Sequence, residues 1–340
     1  MHRKIKVLIV DDSMVFREFL AKGISKDNMI EVVATASDPY SARDKILEFE
    51  PDVMTLDVEM PRMNGIEFLK RLLPQYTIPV VVVSSVSENV FDALNAGAVD
   101  FVTKTDLTGK NAEGLINELI TKIKIASVAK VSMGKSNVMQ AGNTQKLCKG
   151  CGETVIAIGA STGGTEATYS ILKNLPGDMP GIVVVQHMPP VFTRMYAERL
   201  NTSCRLEVRE AKDGDRLSPG KVFIAAGDYH MRIKKAGGSY LIESAKGEKV
   251  NGHCPSVDVL FDSVAQYAGG NSIGIILTGM GRDGASGLLK MRKKGARTIG
   301  QDEASSVVYG MPKVAYDIGA VERQVTLNNI HQVLISMLGS

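Results

Sequence analysis

Seven short runs of β-branched and other apolar residues punctuate this chain: IKVLIVDD, PDVMTLDVEM and IPVVVVSS in the first half, then TVIAIGASTGG, PGIVVVQHMPP, GKVFIAAGD and NSIGIILTGMGRDGASG in the second. Each stops at acidic, hydroxyl-bearing, glycine-rich or titratable residues. Such runs mark strands buried on both faces of a parallel sheet. In the first half they alternate with helix-like stretches, Met14 to Lys22, Ser41 to Phe49, Gly65 to Leu73 and Val90 to Ala96. A last stretch, Glu113 to Ala129, sets Leu115, Ile116, Leu119, Ile120 and Ile123 at helical spacing. Strands alternating with helices wind into α/β layers. In open sheets of that kind, ligands bind at the carboxyl ends of the strands, so function is to be sought where the runs stop.

Between the halves, from about Val131 to Gly152, the chain turns to Ser, Gly, Asn, Gln and Lys without apolar periodicity, as linkers do. With 340 residues it exceeds one ordinary core. The expected organisation is an α/β unit over residues 1–128, a linker over 129–152, and a second doubly wound, mostly parallel α/β unit over 153–340. No run approaches the roughly 20 apolar residues of a membrane span. The apolar start, Val7 to Val10, runs straight into two aspartates, so neither direct membrane insertion nor a secretory signal is expected. A net charge of +3 is spread along the chain without a basic block or a helix-turn-helix, which argues against nucleic acid as a partner. Cys148, Cys151, Cys204 and Cys254 are expected to be reduced thiols of a cytoplasmic protein. The lone C-x-x-C at Cys148 and Cys151 has no second pair to complete a zinc site.

In the first half, Asp11 and Asp12 end the first strand and Asp57 ends the third, so a parallel sheet brings three carboxylates together. They repel unless a hard cation joins them, and Mg²⁺ favours a few carboxylates with water and phosphate oxygens. Asp12, just before SMVFREF, is alternatively a helix N-cap. Ser84 at a strand tip and Lys104 in DFVTKT supply the hydroxyl and ammonium that would grip a phosphoryl oxygen on Asp57. VDDS, TLDVEMP, VVVSS and FVTK, in this order and spacing, resemble a response-regulator receiver domain of flavodoxin-like fold over about residues 4 to 126. The resemblance implies that Asp57 receives a phosphoryl group from a histidine kinase. It implies Mg²⁺ held by Asp11, Asp12, Asp57 and the carbonyl of Glu59, and it makes Ser84 and Phe101 a switch pair beside Lys104. Thr105 stands where that family usually has proline.

In the second half, Gly159, Ser161 and Gly163 of GASTGG meet the G-x-S-x-G spacing of a nucleophile elbow between strand and helix. A helix N-terminus after the serine favours developing negative charge. A glycine-rich turn is also a phosphate cradle, although G-x-G-x-x-G and G-x-x-x-x-G-K-[ST] do not occur. His187 closes the run IVVVQ, with His230 and His253 as rivals; His2 and His331 read as surface residues. Asp283, in LTGMGRDG, ends another run, with Asp228, Asp258 and Asp302 as alternatives for an acid that orients an imidazole. GASTGG, QHMP, HCPSVD and LTGMGRDG resemble, in that order, the catalytic domain of the chemotaxis protein-glutamate methylesterases. The resemblance implies Ser161 as nucleophile, His187 as base and Asp283 as orienting acid. Thr162, Gly163, Met280 and the HCPSVD segment then line the crevice and its oxyanion hole. It further implies methylated chemoreceptor helices as substrate, a chemotaxis histidine kinase as phosphodonor, glutamine deamidation as a companion activity, and no cofactor for the hydrolysis.

Overall fold

The computed structural model describes residues 3–131 and 154–339, apart from residues 62, 86–87 and 105–108. Thr105 and the Cys148/Cys151 pair lie outside the described residues. The chain forms two compact units, Met1–Ser136 and Asn137–Ser340.

The first unit runs β1 (Ile5–Val10), α1 (Met14–Ile24), β2 (Ile30–Ala36), α2 (Pro39–Phe49), β3 (Val53–Asp57), α3 (Gly65–Leu72), β4 (Val80–Ser84), α4 (Glu88–Asn95), β5 (Asp100–Thr103) and α5 (Gly109–Ala126). Its sheet has the order β2-β1-β3-β4-β5 with every pairing parallel, the flavodoxin-like winding. Val7, Leu8 and Ile9 of β1, and β3 and β4 along their whole length, are buried, as the continuous apolar runs require. The cap of α1 is Ser13, whose hydroxyl accepts the Phe16 N–H. The Asp12 carboxylate is therefore not spent on capping.

The second unit runs β6 (Val155–Ala160), α6 (Gly164–Leu172), β7 (Gly181–Gln186), α7 (Phe192–Ser203), β8 (Glu207–Glu210), β9 (Arg216–Leu217), β10 (Lys221–Ile224), β11 (Tyr229–Ala236), β12 (Ser239–Lys246), α8 (Val257–Tyr267), β13 (Ser272–Ile276), α9 (Ala285–Lys293), β14 (Arg297–Gln301), α10 (Met311–Asp317), β15 (Arg323–Val325) and α11 (Leu327–Leu338). Seven parallel strands take the order β15-β14-β13-β6-β7-β10-β8. From β6 the chain builds the sheet outward on one side and then returns to build the other from β13. The junction of β6 and β13 is thus a switch point, where such sheets open a crevice.

The sequence runs mark four of these strands. Short edge strands such as β15, and β14 with Gly300 pressed against Val321, carry too little β-branched sequence to announce themselves. A second sheet, β11-β12-β9, is antiparallel, and β11 and β12 are joined through Gly237 and Gly238 at φ +55° and +78°. A two-residue hairpin turn of this kind needs left-handed backbone at both positions, which glycine supplies. No helix among the described residues is long and apolar enough to cross a membrane.

Candidate functional site

At the carboxyl ends of β1 and β3, ligand oxygens of Asp11, Asp12 and Asp57 lie within 4.8 Å of one another. Asp11 and Asp57 are buried and Asp12 is exposed. Lys104 reaches both buried carboxylates, with Nζ 2.7 Å from Asp11 Oδ2 and 2.7 Å from Asp57 Oδ2. One ammonium against three carboxylates leaves net negative charge in a low-dielectric pocket. Burial accordingly pushes the Asp57 carboxyl above the usual range, in spite of Lys104 and the Glu59 N–H that donates to its Oδ1. The ion pairs hold the Lys104 ammonium more basic than usual, against the opposing effect of its own burial. All-oxygen donors with excess negative charge suit a divalent cation such as Mg²⁺. The Glu59 carboxylate is engaged elsewhere, by the Ser85 hydroxyl. Arg17 Nη1 donates to the carbonyls of Asp11 at 2.6 Å and Asp12 at 3.0 Å, tying down the acidic loop. Ser84 is buried, and the Phe101 ring is buried as well, with Lys122 Nζ 5.2 Å from its centroid.

In the second unit, Ser161 follows β6 and His187 follows β7. The pairing of β6 with β7 ends at Ala160 opposite Gln186, and the His187 N–H donates to the Ala160 carbonyl at 3.2 Å. Ser161 and His187 are thus the first residues beyond the paired ends of the neighbouring strands β6 and β7. The Ser161 N–H donates to the Thr278 carbonyl across the switch point. Gly163 stands at φ +76° as N-cap of α6, and a Cβ there would come within 2.7 Å of Val307. The turn therefore requires glycine. A Cβ on Gly279 would likewise lie 2.6 Å from that of Ser161. Thr162 is buried, and its carbonyl accepts from Thr278 Oγ1. Met280 is 39% exposed in the loop between β13 and α9.

His187 Nε2 lies 2.9 Å from Asp283 Oδ2, in the same β13–α9 loop. His187 Nδ1 is buried and has no hydrogen-bond partner among the described residues. The acid thus holds one ring nitrogen and leaves the other to take a proton. Asp283 also accepts from Asn251 Nδ2 at 2.8 Å, Ser256 Oγ at 2.7 Å, and the N–H groups of Val257 at 2.7 Å and Asp258 at 3.2 Å. Burial is the largest single influence on Asp283 and opposes its ionisation, yet the hydrogen bonds, that of His187 first, hold the carboxyl well below the usual range. It also sits at the N-terminus of α8, which favours the anion.

The rival residues fall into place from their contacts. His230 is buried and uses both nitrogens, Nε2 on the Glu248 carbonyl and Nδ1 accepting the Ser256 N–H. It is a satisfied core histidine that supports the loop carrying Ser256. The ring of His253 stacks on that of His187, with centroids 3.6 Å apart and planes 9° from parallel. Asp258 accepts from Gly287 N and Asn251 Nδ2. Asp302 caps its own loop through Ser305. Sequence reasoning missed Asn251, Thr278 and Gln186. For Gln186 there was a signal, a carboxamide closing an otherwise apolar run. Asn251 gave none, because its role depends on its bond to Asp283, distant in the chain.

The sequence matches the family of CheB methylesterases over residues 156–334 and that of response regulator receiver domains over residues 7–109. It is 62% identical over 339 residues to a protein-glutamate methylesterase/protein-glutamine glutaminase of Syntrophomonas wolfei, covering 99% of this chain and 98% of the relative. Identity to the protein of that name from Escherichia coli K12 is 47% over 342 residues, with 99% and 98% covered. Among solved structures, the CheB methylesterase catalytic domain of Thermotoga maritima is similar at 39% identity and TM-score 0.53, covering 54% of this chain and 98% of that one.

Proposed function

The chain belongs to the CheB methylesterase family and carries a response-regulator receiver domain, and from that premise we propose that it hydrolyses glutamate γ-methyl esters, and deamidates glutamines, on the cytoplasmic helices of chemoreceptors. Ser161 is the nucleophile. His187 Nδ1 removes the hydroxyl proton as Oγ attacks the ester carbonyl. The proton passes to the departing methoxide, which leaves as methanol, and water then repeats the attack on the acyl-enzyme to release the glutamate carboxylate. With a glutamine the leaving group is ammonia. Asp283, kept ionised, fixes the ring through Nε2 and stabilises the imidazolium. The Ser161 N–H is committed to Thr278, so the backbone N–H groups of Thr162 and Met280 are the donors assigned to the oxyanion. One such donor is worth roughly 3 kcal/mol of barrier.

The observation that carries this reading is the 2.9 Å bond between His187 and Asp283 at strand tips flanking Ser161. Methanol release from methylated receptor membranes tests it. Ser161→Ala is expected to abolish release, and a variant that works at the parental rate disproves the nucleophile.

In the receiver, Asp57 accepts a phosphoryl group from a histidine kinase. Asp11, Asp12 and Asp57, with the Glu59 carbonyl, would hold Mg²⁺, which when bound neutralises their charge and that of the incoming phosphate. Lys104 pairs with the phosphoryl oxygens, and Ser84 and Phe101 respond to them, so that phosphorylation controls the hydrolase. Adding a small phosphodonor with Mg²⁺ should raise methanol release by the intact chain but not by Asp57→Ala; equal rates in all samples refute that control.

A further inference from the structure

We propose that Gln186 is a positioning residue for the hydrolysis, its carboxamide clamping the main chain of the nucleophile to that of the base. The inference rests on the roles given above to Ser161 and His187. Gln186 closes β7 and is 4% exposed, although its strand is otherwise apolar. An amide buried there is costly unless its polar atoms are used. Its Nε2 donates to the Ser161 carbonyl at 2.9 Å and to the His187 carbonyl at 3.3 Å. Two acceptors on one side fix the orientation of the amide, since turning it over would set its oxygen against two carbonyl oxygens.

The other end of the side chain supports the same conclusion. Gln186 Oε1 is buried without a hydrogen-bond partner among the described residues, and it lies so close to Gly164 that an added Cβ there would be 2.3 Å away. A glutamine serving only to satisfy its neighbours would engage both ends. Here the acceptor is left at the start of α6, where the helix dipole favours it, and the donor is devoted to the two catalytic residues. The backbone ladder between β6 and β7 ends with the His187 N–H on Ala160. Beyond that bond the strands carry the reacting side chains, and the carboxamide supplies the next rung. It sets how far apart the Ser161 and His187 backbones stand.

The test uses the intact chain. Gln186→Met keeps the volume and removes the donor. Its kcat for methanol release should fall by about 10²-fold, as for a misplacement near 1 Å, with KM within about twofold. Labelling of Ser161 by a fluorophosphonate should slow by the same factor, because it reports the nucleophile without the receptor. Parental kcat and labelling in Gln186→Met, with Ser161→Ala inert in both assays, overturn the clamp and leave the nucleophile standing. Activity in Ser161→Ala overturns the nucleophile and the clamp with it. If Gln186→Met does not fold, Gln186→Glu decides, since it keeps the shape but places an oxygen where the donor stood. A clamp predicts a loss of similar size in kcat and labelling, whereas near-parental rates in Gln186→Glu refute it.

Discussion

Replacing Asp283 by asparagine keeps its size and removes its charge, and the contacts of Asp283 set what this should cost. Oδ1 accepts from Asn251, Ser256 and the Asp258 N–H, while Oδ2 accepts from His187 and the Val257 N–H. Whichever oxygen becomes an amide nitrogen then faces two or three donors with a donor of its own. Hydrogen bonds to a charged group contribute about 1.5–3 kcal/mol each, so losing two costs at least about 3 kcal/mol. That corresponds to roughly a 10²-fold rise in local opening. Hydrogen exchange on the intact chain should show it at the Val257 and Asp258 amides, in the first turn of α8. The pH dependence gives a second check. Asp283 is held below its ordinary value, so its contribution is complete above the unfolded-state value of about 3.9 and is lost as pH falls through the folded-state value. After correction for intrinsic exchange, the gap between parent and variant should be full near neutrality and narrow below about pH 4. Turnover should drop by about 10⁴, as when the acid of a known triad is neutralised. Equal exchange at Val257 and Asp258 in the two proteins near neutral pH would refute the reasoning, even if turnover fell.

Asn251 bridges Asp258 and Asp283, so Asn251→Ala should lower kcat by about 10- to 100-fold while leaving Ser161 able to react slowly with a fluorophosphonate. Burial raises the Asp57 carboxyl, and protonation removes a metal ligand. Mg²⁺ affinity measured by calorimetry should therefore weaken on acidification from a higher pH than an ordinary aspartate would give. The Cys204 thiol is pushed up to about 11 by burial, so it should stay largely unalkylated by iodoacetamide near neutral pH in the folded chain, as read by mass spectrometry.

How much of this was legible beforehand differs from residue to residue. The parallel layers were, because β3, β4, β6 and β7 are dominated by apolar residues, are buried from end to end, and lead to Asp57, Ser84, Ser161 and His187. The hairpin of β11 and β12 had its cue in KKAGGSY, but no functional motif drew the eye to it. Choosing among His187, His230 and His253 was beyond residue patterns, and resemblance had to select one. The reason is that a histidine's fate is decided by contacts far off in sequence. Glu248 and Ser256 occupy His230, while His253 is defined by the ring it covers. The five donors to Asp283 come from residues 187 to 258, and nothing local to LTGMGRDG foretells them.

The glycines around Ser161 have a consequence for how such a site can change over generations. Beneath the serine there is no spare volume. A single methyl at Gly159 would strike Val257 at 2.1 Å, at Gly279 it would strike Met311 and Ser161, and at Gly284 it would meet Val257 again. Drift in that floor is blocked one carbon at a time, and no conservative exchange offers an intermediate step. Room for variation remains at exposed side chains such as Met280, Val250 and Val191. A lineage adapting to new partners would write its changes there, over an unaltered base.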